Sequence, residues 1–148
     1  MINRLQFSID IKAEKTKIWK ALWSESGYRN WASVFFEGSH VIATNWDVGS
    51  TVHFLSPNKR GIYSIIEKHT PNKIIHFKHQ GNVEEGAEQP IDEKTKKWSG
   101  ANEIYSLAEG ENCHTLTIEI DIMDEHLDFM NLKLPLALEK IKSLAESQ

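Results

Sequence analysis

Cysteine, basic charge and long apolar runs are all scarce in this chain, and each scarcity removes a class of protein. The 148 residues contain one cysteine, Cys113, so no disulfide can close within the chain and a reducing compartment suits it. Lys and Arg number 17 against 21 Asp and Glu, a formal charge of -4 that offers nucleic acid no electrostatic attraction. The basic clusters, Lys59–Arg60 and Lys94, Lys96 and Lys97, read as solvated loop positions. No apolar run approaches the ~18 residues of a membrane span, and no basic stretch leading into an apolar core opens the chain. Neither membrane insertion nor a signal peptide is expected. The expectation is a cytoplasmic chain forming one domain over residues 1–148, with an ordinary apolar share of 40%.

Catalytic signatures are equally thin. There is no Gly-x-Ser-x-Gly, Gly49-Ser50-Thr51 reads as a turn rather than a phosphate loop, and Cys113 has no partner that sequence can place beside it. Seven histidines are present, but His76 and His79 are three apart on a strand pattern, which sends them to opposite faces. His40, His53, His69, His114 and His126 share no element at ligand spacing. All seven read as polar surface residues, and neither metal nor cofactor is expected.

What the chain does contain is periodicity. Asp124 to Glu146 carries Leu127, Met130, Leu134, Leu138, Ile141 and Ala145 at spacings of three and four, one apolar stripe on a helix of about six turns. Asp124 reads as its N-cap, and Pro135 is expected to bend it near Asn131–Leu134. Such a stripe needs a surface, and the upstream chain supplies one. Leu5, Phe7, Ile9 and Ile11 alternate with polar residues as a half-buried strand. From Ala13 the pattern becomes helical, with Ile18, Trp19, Leu22 and Trp23 on one side, and Tyr28 to Val34 reads as a second short helix.

Strands then follow at Ser39–Thr44, Thr51–Leu55, Ile62–His69, Lys73–Gln80, Ser99–Leu107 and His114–Ile122, with short turns that argue for an antiparallel meander. Only Gly81–Lys97 is a long connection, read as a lid, a binding loop or a mobile hairpin loop.

Strand, two short helices, antiparallel strands and a long closing helix is the helix-grip order. In it the chain resembles the START-like superfamily, also called SRPBCC or birch-pollen-allergen-like proteins. Within that superfamily it is similar to the branch of homologues of the activator of the ninety-kilodalton heat-shock protein ATPase. The matching residues are Ile11 and Ala13 leading to Ile18-Trp19 and Leu22, then Trp31, Gly49, Val52, Phe54, Gly61, Pro71, Ile74 and Leu138-Glu139-Lys140-Ile141-Lys142. The resemblance implies an α+β helix-grip fold, with a curved antiparallel sheet of six or seven strands and the C-terminal helix across its concave face. It also implies an internal cavity for lipids, sterols or other small apolar ligands. It carries over no catalytic residue.

Candidate cavity walls are Trp31, Phe54, Tyr63, Ile65, Phe77, Ile118, Met123, Phe129, Met130 and Leu134, with Glu103 and Tyr105 as polar members. If Leu107 faces inward, alternation turns Tyr105, Glu103 and Ala101 inward too, placing a carboxylate beside a phenol. That pair could orient a polar ligand group, or act as acid and base. The competing reading makes Tyr105 a core aromatic and Glu103 the partner of a Lys or Arg, and Ile104 favours the opposite register.

Three functions follow. The first is binding of a small apolar molecule. The second is a small enzyme of cyclase, dehydratase or hydrolase type using Glu103 and Tyr105, joined by Tyr63. The third is a chaperone-associated or stress-response partner, although no exposed apolar stripe for docking is legible. An uncovered sheet edge also leaves a homodimer open.

Overall fold

The alternation of Leu5, Phe7, Ile9 and Ile11 becomes strand β1, Ile2–Ile11, in the computed structural model of this protein, which describes residues 1–147. Helix α1 (Lys15–Trp23) follows and buries Ile18, Trp19, Ala21 and Leu22. Helix α2 (Glu25–Ala32) starts earlier than its apolar pattern suggests. The Ser24 hydroxyl accepts the Gly27 N–H at 3.1 Å and caps it there. The strands that follow are β2 (His40–Ala43), β3 (Thr51–Leu55), β4 (Gly61–Thr70), β5 (Ile74–Glu84), β6 (Ala87–Glu88), β7 (Asn102–Gly110) and β8 (Cys113–Met123).

All strand pairs are antiparallel, in the order β1-β8-β7-β5-β4-β3-β2, with the two-residue β6 paired to β5. The chain therefore enters at one edge, crosses through α1 and α2 to the other, and returns by the meander until β8 lies beside β1. The expected α+β helix-grip architecture is the one observed.

Helix α3 (Leu127–Glu146) closes the structure, burying Leu134, Ala137, Leu138, Ile141 and Ala145, and runs on through Pro135. It packs on β1, β8, α1 and α2. Its start differs from expectation. Asp124–His126 form a 3₁₀ turn, His126 takes the cap position, and Asp124 instead accepts a 2.6 Å hydrogen bond from Asn3 Nδ2. The segment 81–97 is also more built than a plain loop. It completes β5, turns at Glu85-Gly86, adds β6, and ends in a 3₁₀ turn at Thr95–Lys97 whose Thr95 N–H donates to Asp92 at 2.8 Å.

An exposed apolar patch is present where none was legible: Phe36 is 65% exposed, Leu132 63% and Leu136 48%, and Phe36 stacks on Phe129.

On the side of the sheet away from the helices, Asp121 of β8 ties three strands together. Arg4 Nε of β1 donates to its Oδ1, and Asn102 of β7 donates its N–H at 2.8 Å and its amide at 2.9 Å to Oδ2. Burial raises the carboxyl pKa, but the Arg4 and Asn102 hydrogen bonds outweigh it and leave Asp121 below the ordinary value. A depressed folded-state pKa contributes stability above the unfolded value of about 3.9, and that stability is lost as pH falls through the folded one. Asp121→Asn is accordingly expected to cost about 1–2 kcal/mol at pH 7. The gap to the parent should close below about pH 4. Urea unfolding from pH 7 to pH 3 checks this; a gap independent of pH contradicts it.

Candidate functional site

A cleft of about 1170 Å³, partly open to solvent, lies between the sheet and the start of α3. Tyr28 and Trp31 enter it from α2, Met130 and Leu134 from α3, and Phe54, Ile62, Ile120 and Tyr105 from the sheet. The β3–β4 turn, Ser56 to Arg60, forms part of its rim with Glu37 and Glu84. The inner end of the space between helices and sheet is filled. Trp23 packs against Phe77 at 5.2 Å and Tyr105 at 4.8 Å between ring centroids, with Trp31 and Trp46 around it. The helices thus cover a solid aromatic cluster at one end and an unfilled cleft at the other.

A polar relay crosses the cleft floor. Ser64 Oγ lies 2.6 Å from His79 Nδ1, His79 Nε2 lies 3.2 Å from Glu103 Oε1, and the Tyr105 hydroxyl donates to Glu103 Oε2. An ionised carboxylate only accepts, so the proton of that imidazole–carboxylate bond sits on Nε2. When the imidazole is neutral, Nδ1 accepts and Ser64 is the donor. The order resembles a nucleophilic triad, but Ser64 is 0% exposed and cannot reach a substrate. Among the described residues, Glu103 has no Lys or Arg partner; its ion-pairing neighbour is His79. Burial, reinforced by the Glu103 carboxylate, holds both Tyr28 and Tyr105 well above the ordinary phenol value. Both remain neutral hydroxyl donors across the physiological range.

Backbone irregularity shapes this floor. In β4–β5, Ser64 pairs with His79 and Tyr63 with Gly81, leaving Gln80 as an extra residue. The bulge reverses the alternation, so His79 and Asn82 both line the cleft although they are three apart.

Of the residues singled out from sequence, Trp31, Phe54, Glu103, Tyr105, Met130 and Leu134 line the cleft. The others lie elsewhere. Tyr63 and Ile65 alternate with the buried Ser64 and Ile66 and so occupy the opposite face of β4, where the Tyr63 hydroxyl donates to the Gln89 carbonyl at 3.1 Å. Phe77 and Ile118 are 0% exposed and belong to the core beneath the cleft. Met123 lines a separate, polar depression of about 520 Å³ beside Trp98 and Thr95. Phe129 points out of the helix onto Phe35 and Phe36.

The Glu103–Tyr105 pairing expected from alternation is present, but Tyr63 does not join it. His79, read as a surface residue, is 7% exposed and central to the relay. Its signal was available in the run Ile75, Phe77, His79, which shares one strand face. Tyr28 was detectable only as one end of a short helix, and Ser64 not at all. Among the described residues no group of three or more His, Cys, Asp or Glu is placed to hold a metal ion, and no helix is long and apolar enough to cross a membrane.

No family model and no curated protein sequence matches the chain. Solved structures do. The chain is similar to the Aha1 dimer from Colwellia psychrerythraea, with a TM-score of 0.71 and 23% identity over 97% of this chain and 96% of that one. It is similar to a protein of Mesorhizobium loti, with a TM-score of 0.73 and 13% identity over 99% and 98% of the two chains. A Chromobacterium violaceum protein gives a TM-score of 0.67 and 16% identity over 97% of each. Likeness at these identities establishes architecture: the chain has the helix-grip fold that these bacterial proteins share, matched along nearly its whole length.

Proposed function

We propose that this protein holds a small, largely apolar molecule in the cleft between α2, α3 and the sheet. The observation that carries the reading is the cleft itself, about 1170 Å³ of space walled by Tyr28, Trp31, Phe54 and Met130 with a hydrogen-bonded polar floor. That combination of apolar walls and few convergent polar groups is what ligand sites use for affinity and orientation respectively. Met130 adds an adaptable wall at the entrance. The fold shared with the Aha1 protein supports the same reading, since its closing helix and sheet can enclose a chamber without breaking the core beneath. The one-domain organisation and cytoplasmic location expected from sequence belong to this proposal.

Titration of an environment-sensitive apolar dye tests it. Saturable binding with one site per chain is expected, accompanied by a change in tryptophan emission because Trp31 lines the cleft and Trp23 packs on it. Leu134→Trp, which places an indole into the cleft from a position 2% exposed, should abolish the site. Absence of saturable binding to the folded parent overturns the proposal.

A protein-partner reading rests on a different observation, the patch of Phe36, Phe129, Leu132 and Leu136 beside the cleft mouth. The Colwellia protein was solved as a dimer, and self-association through this patch is the form of partnership proposed for this chain. Sedimentation that shows only monomer up to high micromolar concentration removes it.

A further inference from the structure

The cleft has a charge character that its aromatic walls alone do not suggest. Its floor holds Glu103, whose side chain is 16% exposed, and two further carboxylates, Glu37 and Glu84, stand at its rim. Arg60 lines the same rim, but its Nε lies 2.8 Å from Glu84 Oε2, so the pair is neutral as a unit. Glu103 has no such cation. A largely buried carboxylate is ordinarily matched by a basic side chain. Here the protein supplies no Lys or Arg, only the Tyr105 hydroxyl and the His79 imidazole, and two hydrogen bonds leave part of the carboxylate's acceptor capacity unused.

A second, independent feature points the same way. Tyr28 is 8% exposed, lines the cleft and feels the Glu103 charge, yet its hydroxyl makes no hydrogen bond among the described residues. Around it, Trp31 stands at 4.9 Å and Phe54 at 6.1 Å between ring centroids. Aromatic rings beside a carboxylate that no Lys or Arg meets are the chemistry that recognises an organic cation.

Resting on the binding role of the cleft, we propose that its occupant is a cationic amphiphile: a protonated or quaternary amine seated over Glu103 and the aromatic rings, with an apolar body running toward Met130 and Leu134. The Tyr28 hydroxyl is then the free polar group beside the amine. The ligand supplies the fixed positive charge that no Lys or Arg among the described residues brings to Glu103.

The test is a matched series of dodecylammonium, dodecanol and dodecanoate, each below its aggregation concentration, competing for the dye site at neutral pH. The cation is expected to bind about tenfold more tightly than the alcohol, and the anion more weakly than either. Glu103→Gln should lower the cation-to-alcohol affinity ratio about tenfold, while Glu111→Gln, which removes the same charge from the distant β7–β8 turn, leaves that ratio unchanged. Tyr28→Phe should lower it less, by about threefold. If the alcohol or the anion binds the parent as well as the cation does, the cation preference is wrong and the apolar-ligand reading stands. If Glu111→Gln acts as strongly as Glu103→Gln, the preference reflects net charge and the assignment to this floor fails. If no member of the series displaces the dye, this inference is overturned; if the dye itself does not bind, both readings fall. Should Glu103→Gln not fold, the parent series alone decides.

Discussion

Phe77→Ala is expected to lower the free energy of unfolding by about 3–5 kcal/mol, because it empties the position of the largest fully buried side chain in the core. Phe77 is 0% exposed and is met by Phe54 at 5.0 Å, Trp23 at 5.2 Å and Tyr105 at 6.3 Å between ring centroids. Two of its neighbours, Phe54 and Tyr105, are cleft walls as well. Removing the ring withdraws its transfer free energy and opens a hole that rigid aromatic neighbours cannot collapse to fill. The consequence reaches function, because the walls of the ligand site stand on this side chain. Phe77→Leu, which keeps most of the volume, should cost only about 1 kcal/mol and retain dye binding. Urea unfolding of the three proteins with matched slopes measures the stability terms. Equal losses for Ala and Leu would mean that the site collapses freely, contrary to the close aromatic packing around Phe77.

Gly61→Ala is expected to cost about 3 kcal/mol, although it adds a single methyl group near the surface. A Cβ at this position would lie 1.9 Å from the Phe54 carbonyl oxygen and 2.9 Å from its carbon. These are backbone atoms of the neighbouring strand, so no side-chain rotation relieves the clash. Gly61 pairs with Leu55 at the end of the β3–β4 hairpin, which the Ser56 N–H closes with a 2.8 Å hydrogen bond to the Arg60 carbonyl. The methyl group must therefore pry that hairpin open. Gly61, Ser56 and Arg60 all border the cleft, so the same change should weaken dye binding more than stability loss alone explains. A thermal midpoint unchanged from the parent would show that the strands can part without cost and would remove this account.

Much of the architecture is legible in the order of the residues. Strict alternation in β1 and β8, and the three-and-four spacing of α3, are local signals. Each needs only the residue's own neighbours to be interpreted, and each element forms close to its expected bounds. The inward direction of Glu103 and Tyr105 is one of the two registers that alternation allows, the one set by Leu107 rather than Ile104, and the structure selects it. Local rules fail wherever something distant modifies them. Tyr63 and Ile65 look like walls because they are apolar or aromatic, but β4 turns Ser64 and Ile66 to the helices instead. His79 looks exposed because histidine usually is. Asp124 looks like a cap, and the edge residue Asn3 claims it.

The amino-acid order by itself determined the succession of elements, the antiparallel meander and the faces that β1, β8 and α3 bury, because periodicity is a property of consecutive residues. The tertiary structure alone decided three things: that the inner space is filled by Trp23 while the outer space is empty, that a bulge at Gln80 turns both His79 and Asn82 toward the cleft, and that Glu103 meets His79 but no Lys or Arg among the described residues. The physical reason is the same for all three. Volume, register shifts and charge pairing depend on how far apart long-range packing holds α2, α3 and the sheet, and no spacing along a chain encodes that separation.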